Sequence, residues 1–282
     1  MIHADSNNRA YTLLQRAIGE ALECIGHPRL ADKRVHAARK AVKRARATLR
    51  LLRPAMKDVD YKRENTALLE AGKILSPLRN AASVIEAFNA FTSRYATDLH
   101  GVELAPLHRS LLARHTHSRH ALIDTPAELR HCADSLKGCR ERLRRTNLAD
   151  AEHATTINGL RRIYRKGRKA FALARHARTS EALHEWRKKV KYLFNALESL
   201  RDSSAHCSRK VRKRADRVAN WLGDDHDLAM LNDAMRDSAI DTHIEATMKG
   251  LIEQRRGKLQ ARAVDVGRKL FARKPKRFAA RM

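Results

Sequence analysis

The chain has 282 residues, among which 59 Lys and Arg outnumber 31 Asp and Glu, for a formal net charge of +28. A surplus of this size, spread along most of the chain, favours polyanionic partners. With only 11 Gly, 6 Pro and 5% aromatic residues, and no convincing strand alternation, the composition is typical of a helical protein. No apolar run approaches the roughly 18–20 residues of a membrane span, so we expect no membrane insertion.

The four cysteines, Cys24, Cys132, Cys139 and Cys207, form no Cys-x-x-Cys pair. The N-terminal residues show no secretory signal, so we expect reduced thiols in a cytoplasmic protein rather than disulfides or a zinc site. No Gly-rich phosphate loop is present, and we expect no cofactor.

Helical periodicity, interrupted by Gly and Pro, predicts an all-α protein. In the first half the predicted helices span about residues 6–26, 33–53, 60–75, 79–99, 105–123 and 126–147. In the second half they span about residues 151–176, 181–201, 206–222, 226–237 and 240–272.

One pattern, His-x-x-Arg-Lys-x-x-Lys, occurs twice, about half a chain apart. Its members are His36, Arg39, Lys40 and Lys43 in the first copy and His184, Arg187, Lys188 and Lys191 in the second. Asp32 and Ser180 stand at equivalent places before the two histidines, and we expect both to be helix N-caps.

A second correspondence follows each copy, since residues 75–80 align with residues 222–227. Two landmarks in the same order predict duplicated helical halves, 1–148 and 149–282, that form one compact unit.

The predicted helix over residues 33–53 carries an unbroken row of cations on one face. The row consists of His36, Arg39, Lys40, Lys43, Arg46, Arg50 and Arg53. At 1.5 Å per residue it is about 25 Å long. Solvated helix faces normally interleave both signs, whereas like charges three or four residues apart destabilise a helix. The row therefore indicates a surface that binds an extended anion.

Three further stripes follow in the second half. The second copy of the pattern repeats the row, and the preceding helix carries Arg161, Arg165, Arg168 and Lys169. The stripe from Arg209 to Arg217, which includes Arg214, is equally compatible with a solvated face. Gly167 predicts close approach of a partner or a neighbouring helix.

A linear phosphate polymer suits such rows, because Arg offers a rigid fork for two phosphate oxygens and Lys a mobile point charge. Inorganic polyphosphate is therefore the expected partner, with the histidines donating hydrogen bonds while protonated. The predicted binding residues are His36, Arg39, Lys40, Lys43, Arg46, Arg50, Arg161, Arg165, Arg168, Lys169, His184, Arg187, Lys188, Lys191 and Arg214.

The two His-x-x-Arg-Lys-x-x-Lys segments, with residues 165–170, 222–228 and 269–278, resemble the CHAD family, the conserved histidine α-helical domain. The resemblance covers about residues 5–280. It implies two pseudo-symmetric helical bundles around a basic central groove or cavity, polyphosphate binding and association with polyphosphate granules. Arg79-Asn80 departs from the acidic residues of the second copy. No Glu-x-Glu-x-Lys strand is present, so triphosphatase activity is not implied and we expect no enzyme.

Two alternatives stay open. His184, His226, Asp227 and Asp265 follow the ligand order of HD-type helical metal phosphohydrolases, although the neighbouring cations would repel a metal ion. Non-specific nucleic-acid binding is the other, because phosphate contacts alone suffice for it. The scarcity of aromatic residues argues against single-strand binding, and we expect both tryptophans to be packing residues. The sequence leaves the oligomeric state open.

A cluster of aspartates around Asp227 has a structural interpretation. Asp224, Asp225 and Asp227 follow Gly223, which predicts acidic residues at a helix N-terminus. We expect them to orient the cationic side chains, so that Asp227→Asn weakens anion binding.

Overall fold

The computed structural model describes residues 5–27, 30–200, 207–238 and 240–282. These residues form eleven α-helices and no strand, which confirms the all-α prediction. The helices are α1 Asp5–Ile25, α2 Asp32–Leu52, α3 Asp58–Ile74, α4 Ser76–Arg94, α5 Ala105–Ile123, α6 Pro126–Arg144, α7 His153–Ala177, α8 Ser180–Ser199, α9 Cys207–Arg236, α10 Thr242–Leu270 and α11 Pro275–Ala279.

Two local predictions about helix ends are wrong. The single helix α9 replaces the two helices predicted over 206–222 and 226–237, so the aspartates after Gly223 lie within a helix rather than at an N-terminus. The N-caps lie one residue earlier than predicted. Ala31 caps α2 without a side-chain bond, and the hydroxyl of Thr179 caps α8 by accepting from the Ala182 N–H.

The buried apolar side chains form three clusters. The first lies mainly among α1, α2, α3 and α6. The second lies mainly among α7, α8, the N-terminal half of α9, the C-terminal end of α10 and α11. The third joins α4 and α5 to the C-terminal half of α9 and the N-terminal half of α10. Helices from both sides of the predicted boundary at 148/149 share this third cluster, and the two-half division itself stays a prediction.

Helices α4 and α9 are among those that pass from one apolar cluster to another, and each carries polar residues where it does so. On α4, Leu78 belongs to the first cluster and Val84 to the third, with Arg79 between them. On α9, Leu222 belongs to the second cluster and Leu228 to the third, with residues 223–227 between them. Charged side chains therefore lie at the junctions of the clusters.

The two copies of the repeated pattern meet because α2 packs against α8. Thr48 and Ser199 link these helices through hydroxyl groups 3.1 Å apart. Helix α7 also packs closely on the end of α2. A Cβ atom on Gly159 would lie 2.0 Å from the Leu51 carbonyl oxygen, so only glycine fits there.

One buried carboxylate anchors α3 to α6. Glu64 is 1% exposed and accepts hydrogen bonds from Arg142 Nε and Nη2, each 2.8 Å long. Arg63 Nε donates a third bond of 2.7 Å. Burial alone would raise the pKa of Glu64, but these bonds hold it below its ordinary value. This charge is therefore fully paired.

The tryptophans and the cysteines of the described residues are packing residues. Trp186 is fully buried and Trp221 half-buried, as predicted. Cys24, Cys132 and Cys139 carry free thiols, and the Cys207 side chain lies outside the described residues. A bilayer could not accommodate any helix of the described residues, since none combines sufficient length with an apolar surface.

Candidate anion-binding site

Five cations from three helices converge where α2 meets α8. We define this central cation cluster as Arg39 and Lys43 of α2, Arg79 of α4, and Arg187 and Lys191 of α8. The pKa of Lys43 is lowered to about 8 by burial and by the positive charges of the other four. Because such charge effects need short separations, the structure brings the Arg and the second Lys of both pattern copies together.

Four members of the central cation cluster lack a direct ion-pair partner among the described residues, although the charges of Asp224 and Asp227 act on Arg187 and Lys191. Within the described part of the chain, Arg39, Lys43, Arg187 and Lys191 form no ion pair, while Arg79 donates from Nη1 and Nη2 to Glu86, each bond 2.7 Å long. Burial is the main cause that lowers the pKa of each of those four. The Lys43 side chain nevertheless reaches water. It therefore belongs to the surface of the protein rather than to a core.

Polar atoms in and beside the cluster also lack hydrogen-bond partners among the described residues. The buried Nε atoms of Arg39, Arg46 and Arg187 and the buried Nδ1 atom of His184 have no hydrogen-bond partner among the described residues. A buried polar group left unpaired costs about 1–3 kcal/mol. Concentrated positive charge beside unused donors is the arrangement that a phosphate oxygen would satisfy.

The arginines of the two pattern copies lie beside positions that are aligned in the sequence. Arg39 donates from Nη1 to the Gly72 carbonyl oxygen at 3.1 Å and to the Ser76 hydroxyl. Arg187 lies against Gly223, where a Cβ atom would be 3.7 Å from Arg187 Nη2. Ser76 and Gly223 are aligned in the sequence, so aligned arginines contact aligned neighbours.

The histidines border the central cation cluster, where burial and nearby positive charge favour their neutral form. The His184 and His226 rings lie 4.6 Å apart. Burial, then nearby positive charge, lowers the pKa of His36 and of His184, and it lowers that of His226 to about 4. These rings are neutral at pH 7 in the unbound protein. The expected protonated form therefore requires the charge of a bound anion to raise the pKa again.

A family comparison agrees with this geometry. The CHAD domain family model matches residues 13–236. The chain belongs to the CHAD family. The CHAD domain is associated with polyphosphate binding. None of the curated proteins compared with the chain gives a significant match.

Arg79 is not among the binding residues predicted from the sequence, although it lies in the aligned segment 75–80. Arg79 aligns with His226, and each lies beside the histidine of its own half. The charge of Arg79 lowers the pKa of His36, whereas His226 packs against His184. The same aligned position therefore lies beside a pattern histidine in both cases, with a different side chain in each. The alignment of residues 75–80 with residues 222–227 could have indicated Arg79.

The remaining predicted residues of α2 and α8 extend or flank the cluster. Arg46 and Arg50 lie over the Tyr192 ring, with guanidinium carbons 5.9 and 3.9 Å from its centroid. They continue the row along α2. Lys40 and Lys188 are exposed at the edge, and Lys188 Nζ lies 2.5 Å from Glu185 Oε2. The groove that the CHAD resemblance implies around these side chains stays a prediction.

The predicted residues of α7 and α9 lie elsewhere. Arg165, Arg168 and Lys169 line a cavity with the C-terminal end of α10. Arg168 Nε donates to the Phe271 carbonyl and Arg214 Nη1 to the Lys269 carbonyl, each at 3.3 Å, so both cap that helix end. Arg161 is exposed on α7.

Carboxylates line a smaller cavity beside the central cation cluster. This cavity has a volume of about 290 Å³, and Glu86, Asp224 and Asp227 contribute to its wall. Burial raises the pKa of Asp224 and of Asp227. Asp227 forms no hydrogen bond or ion pair with the described cations, but its charge acts on Arg187 and Arg79, and its orienting role stays a prediction.

The ligand set of the metal-hydrolase alternative is not assembled among the described residues. His184 and His226 lie together. Asp265, however, is exposed and lies 3.7 Å from Arg268. Across the described ranges, no group of three or more His, Cys, Asp or Glu side chains is arranged to hold a metal ion.

Proposed function

We propose that this CHAD protein binds inorganic polyphosphate at the central cation cluster and acts as a binding protein rather than an enzyme. The observation that carries the proposal is the convergence of five cations, four of them from the two pattern copies and without a direct ion pair among the described residues. A bound phosphate chain would offset their mutual repulsion and accept from their unused donors.

The row along α2 supports a polymer over a single small anion. Arg46 and Arg50 continue from Lys43 along one face of the helix, and Tyr192 holds both guanidinium groups in place. A linear chain that leaves the cluster would meet further donors along α2. A protein that holds the polymer in this way would associate with polyphosphate granules.

Competition binding at about 0.15 M salt tests the proposal. Labelled long-chain polyphosphate is titrated with protein and then displaced with single-stranded DNA, duplex DNA or RNA. The variant Arg187→Ala/Lys191→Ala is compared with Lys210→Ala/Lys213→Ala, which removes the same charge from an exposed stripe on α9. We expect polyphosphate to win the competition and only the cluster variant to lose affinity, while circular dichroism shows both variants helical.

Two results would overturn the proposal. Equal competition by nucleic acids, with equal losses in both variants, would show that the net charge of +28 attracts polyanions without a specific site. Hydrolysis of polyphosphate by the purified protein, lost in the cluster variant, would show that it is an enzyme.

A further inference from the structure

A second cationic site lies outside the central cation cluster. The outer face of α7 and the C-terminal end of α10 enclose a cavity of about 500 Å³, here called the α7–α10 cleft. Its polar wall consists of Arg165, Arg168, Lys169, Arg175 and Arg268, and its apolar part includes Phe171, Phe271 and Pro275. No carboxylate contributes to the lining. A volume of this size is typical of a ligand site.

The cations of the α7–α10 cleft are weakly neutralised. Arg165 and Lys169 are exposed and form no ion pair with the described residues. Arg268 Nη1 lies 3.7 Å from Asp265 Oδ1, and both side chains are largely exposed. Exposed pairs of this kind stabilise little, so the cleft keeps most of its positive charge.

The walls of the cleft are fixed by contacts that do not involve Arg165 or Lys169. Gly167 lets α7 approach the end of α10 so closely that a Cβ atom there would lie 3.0 Å from the Phe271 ring. Arg168 and Arg214 donate to the last carbonyl groups of α10. Because the backbone is held in this way, the other side chains are positioned before any ligand arrives.

The second apolar cluster separates the cleft from the central cation cluster. The Phe171 ring of the cleft lies 5.0 Å from the ring of Trp186, which is fully buried. The next residue on α8, Arg187, belongs to the central cation cluster. One side of α8 therefore supports the cleft, and another side presents the cluster.

We propose that the α7–α10 cleft is a second polyphosphate site, so that one protein molecule joins two segments of the polymer. This inference rests on the proposed function. Guanidinium and ammonium groups around a pocket without carboxylates suit phosphate oxygens, and the apolar floor strengthens these bonds by excluding water. The family match ends at residue 236, so Arg268, Phe271 and Pro275 lie outside it.

The stoichiometry of a short chain tests the inference. Isothermal titration of tripolyphosphate, which cannot reach around the second apolar cluster, should give two sites per wild-type molecule. Arg165→Ala/Lys169→Ala/Arg175→Ala should give one, and so should Arg187→Ala/Lys191→Ala. The control Lys210→Ala/Lys213→Ala/Arg217→Ala, which removes three exposed cations of α9, should keep two.

Light scattering with long-chain polyphosphate shows whether one protein molecule binds two separate chains or two segments of the same chain. If the two sites join separate chains, the wild type raises the scattering and the cleft variant does not. If they hold one chain, scattering stays low, but the wild type binds long chains at least tenfold more tightly than the cleft variant does. Either outcome supports two sites.

A single wild-type site that Arg187→Ala/Lys191→Ala abolishes would overturn this inference and leave the proposed function intact. If that variant instead keeps every wild-type site, the proposed function fails. Retention of two sites by the cleft variant would place the second site elsewhere and overturn the inference.

Discussion

The Glu64 ion pair between α3 and α6 and the central cation cluster between α2 and α8 both hold charge away from bulk water. Glu64 accepts three hydrogen bonds from Arg142 and Arg63, so its charge is balanced inside the protein. Arg187 and Lys191 have no such partner among the described residues, and burial lowers the pKa of each. The first arrangement stabilises the fold, whereas the proposed function has a ligand of opposite charge complete the second.

The difference indicates that a paired charge such as Glu64 has a structural role, whereas cations without a direct ion pair are candidates for binding. Breaking a buried pair leaves one charge uncompensated and destabilises the fold. Removing a cation of the cluster relieves repulsion but also removes attraction to nearby aspartates, so its effect on stability is smaller, and it removes a contact to the anion. Variants in the two regions should therefore change different measured quantities.

The largest effect is expected for Arg187→Ala/Lys191→Ala. Loss of two phosphate contacts should lower polyphosphate affinity by at least tenfold at about 0.15 M salt. The slope of log affinity against log salt should become shallower by about 1.4, taking 0.7 per contact for a single-stranded polyanion. The free energy of unfolding should change little, because the lost repulsion from Lys43 and the lost attraction of the nearby aspartates oppose each other. A salt series with thermal denaturation measures both, and an unchanged slope would contradict the assignment.

Glu64→Gln should instead change the free energy of unfolding and leave polyphosphate affinity unchanged. It leaves the guanidinium groups of Arg63 and Arg142 without their carboxylate, and the free energy of unfolding should fall by about 2–3 kcal/mol. The folded fraction should bind polyphosphate as the wild type does. Urea denaturation and titration below the unfolding range provide the two values. Lower affinity at full helicity would show that the two regions are coupled.

A third prediction concerns pH and Lys43. Its pKa of about 8 means that the unbound ammonium loses its proton above pH 8, whereas a bound anion favours the protonated form. The contribution of Lys43 to affinity should therefore be fully present below about pH 8 and decrease as the pH rises from 8 to 10. Lys43→Arg, which stays charged, should show a smaller decrease. Identical profiles for both proteins would exclude Lys43 from the site.

The smallest effect is expected for Asp227→Asn. Asp227 forms no bond to the cluster, but its charge attracts Arg187 and Arg79. Removing it should raise the local positive potential and strengthen polyphosphate binding by a few-fold at most. This reverses the weakening expected from the sequence. Fluorescence titration of both proteins on one polymer preparation decides between the two directions.

Much of this arrangement could be predicted from sequence patterns. Helical periodicity gave the fold class, and the repeated pattern pointed to Arg39, Lys43, Arg187 and Lys191, which the structure brings together. The pattern succeeds because residues three and four apart share a helix face, so cations and apolar residues separate onto different sides.

Other features depend on tertiary contacts that no local pattern contains. Helix α9 continues through Gly223 and three aspartates, although these residues disfavour helix interiors. Leu222 and Leu228 pack into different apolar clusters on either side, and this packing overrides the local preference. Arg165, Arg168 and Lys169 have the same spacing as the cluster residues, but only the fold shows that α7 presents them to α10.

The placement of the two tryptophans allows ligand binding to be followed by intrinsic fluorescence. Trp186 is sealed in the second apolar cluster, one residue before Arg187, so its emission should be blue-shifted and insensitive to aqueous quenchers. Trp221 is half-buried and packs against both the second and the third clusters, two residues before Gly223. An anion that draws Arg187 away from Gly223 would alter the surroundings of Trp221 first. Unlabelled protein can thus report ligand arrival through acrylamide quenching, with Trp186 as the internal reference.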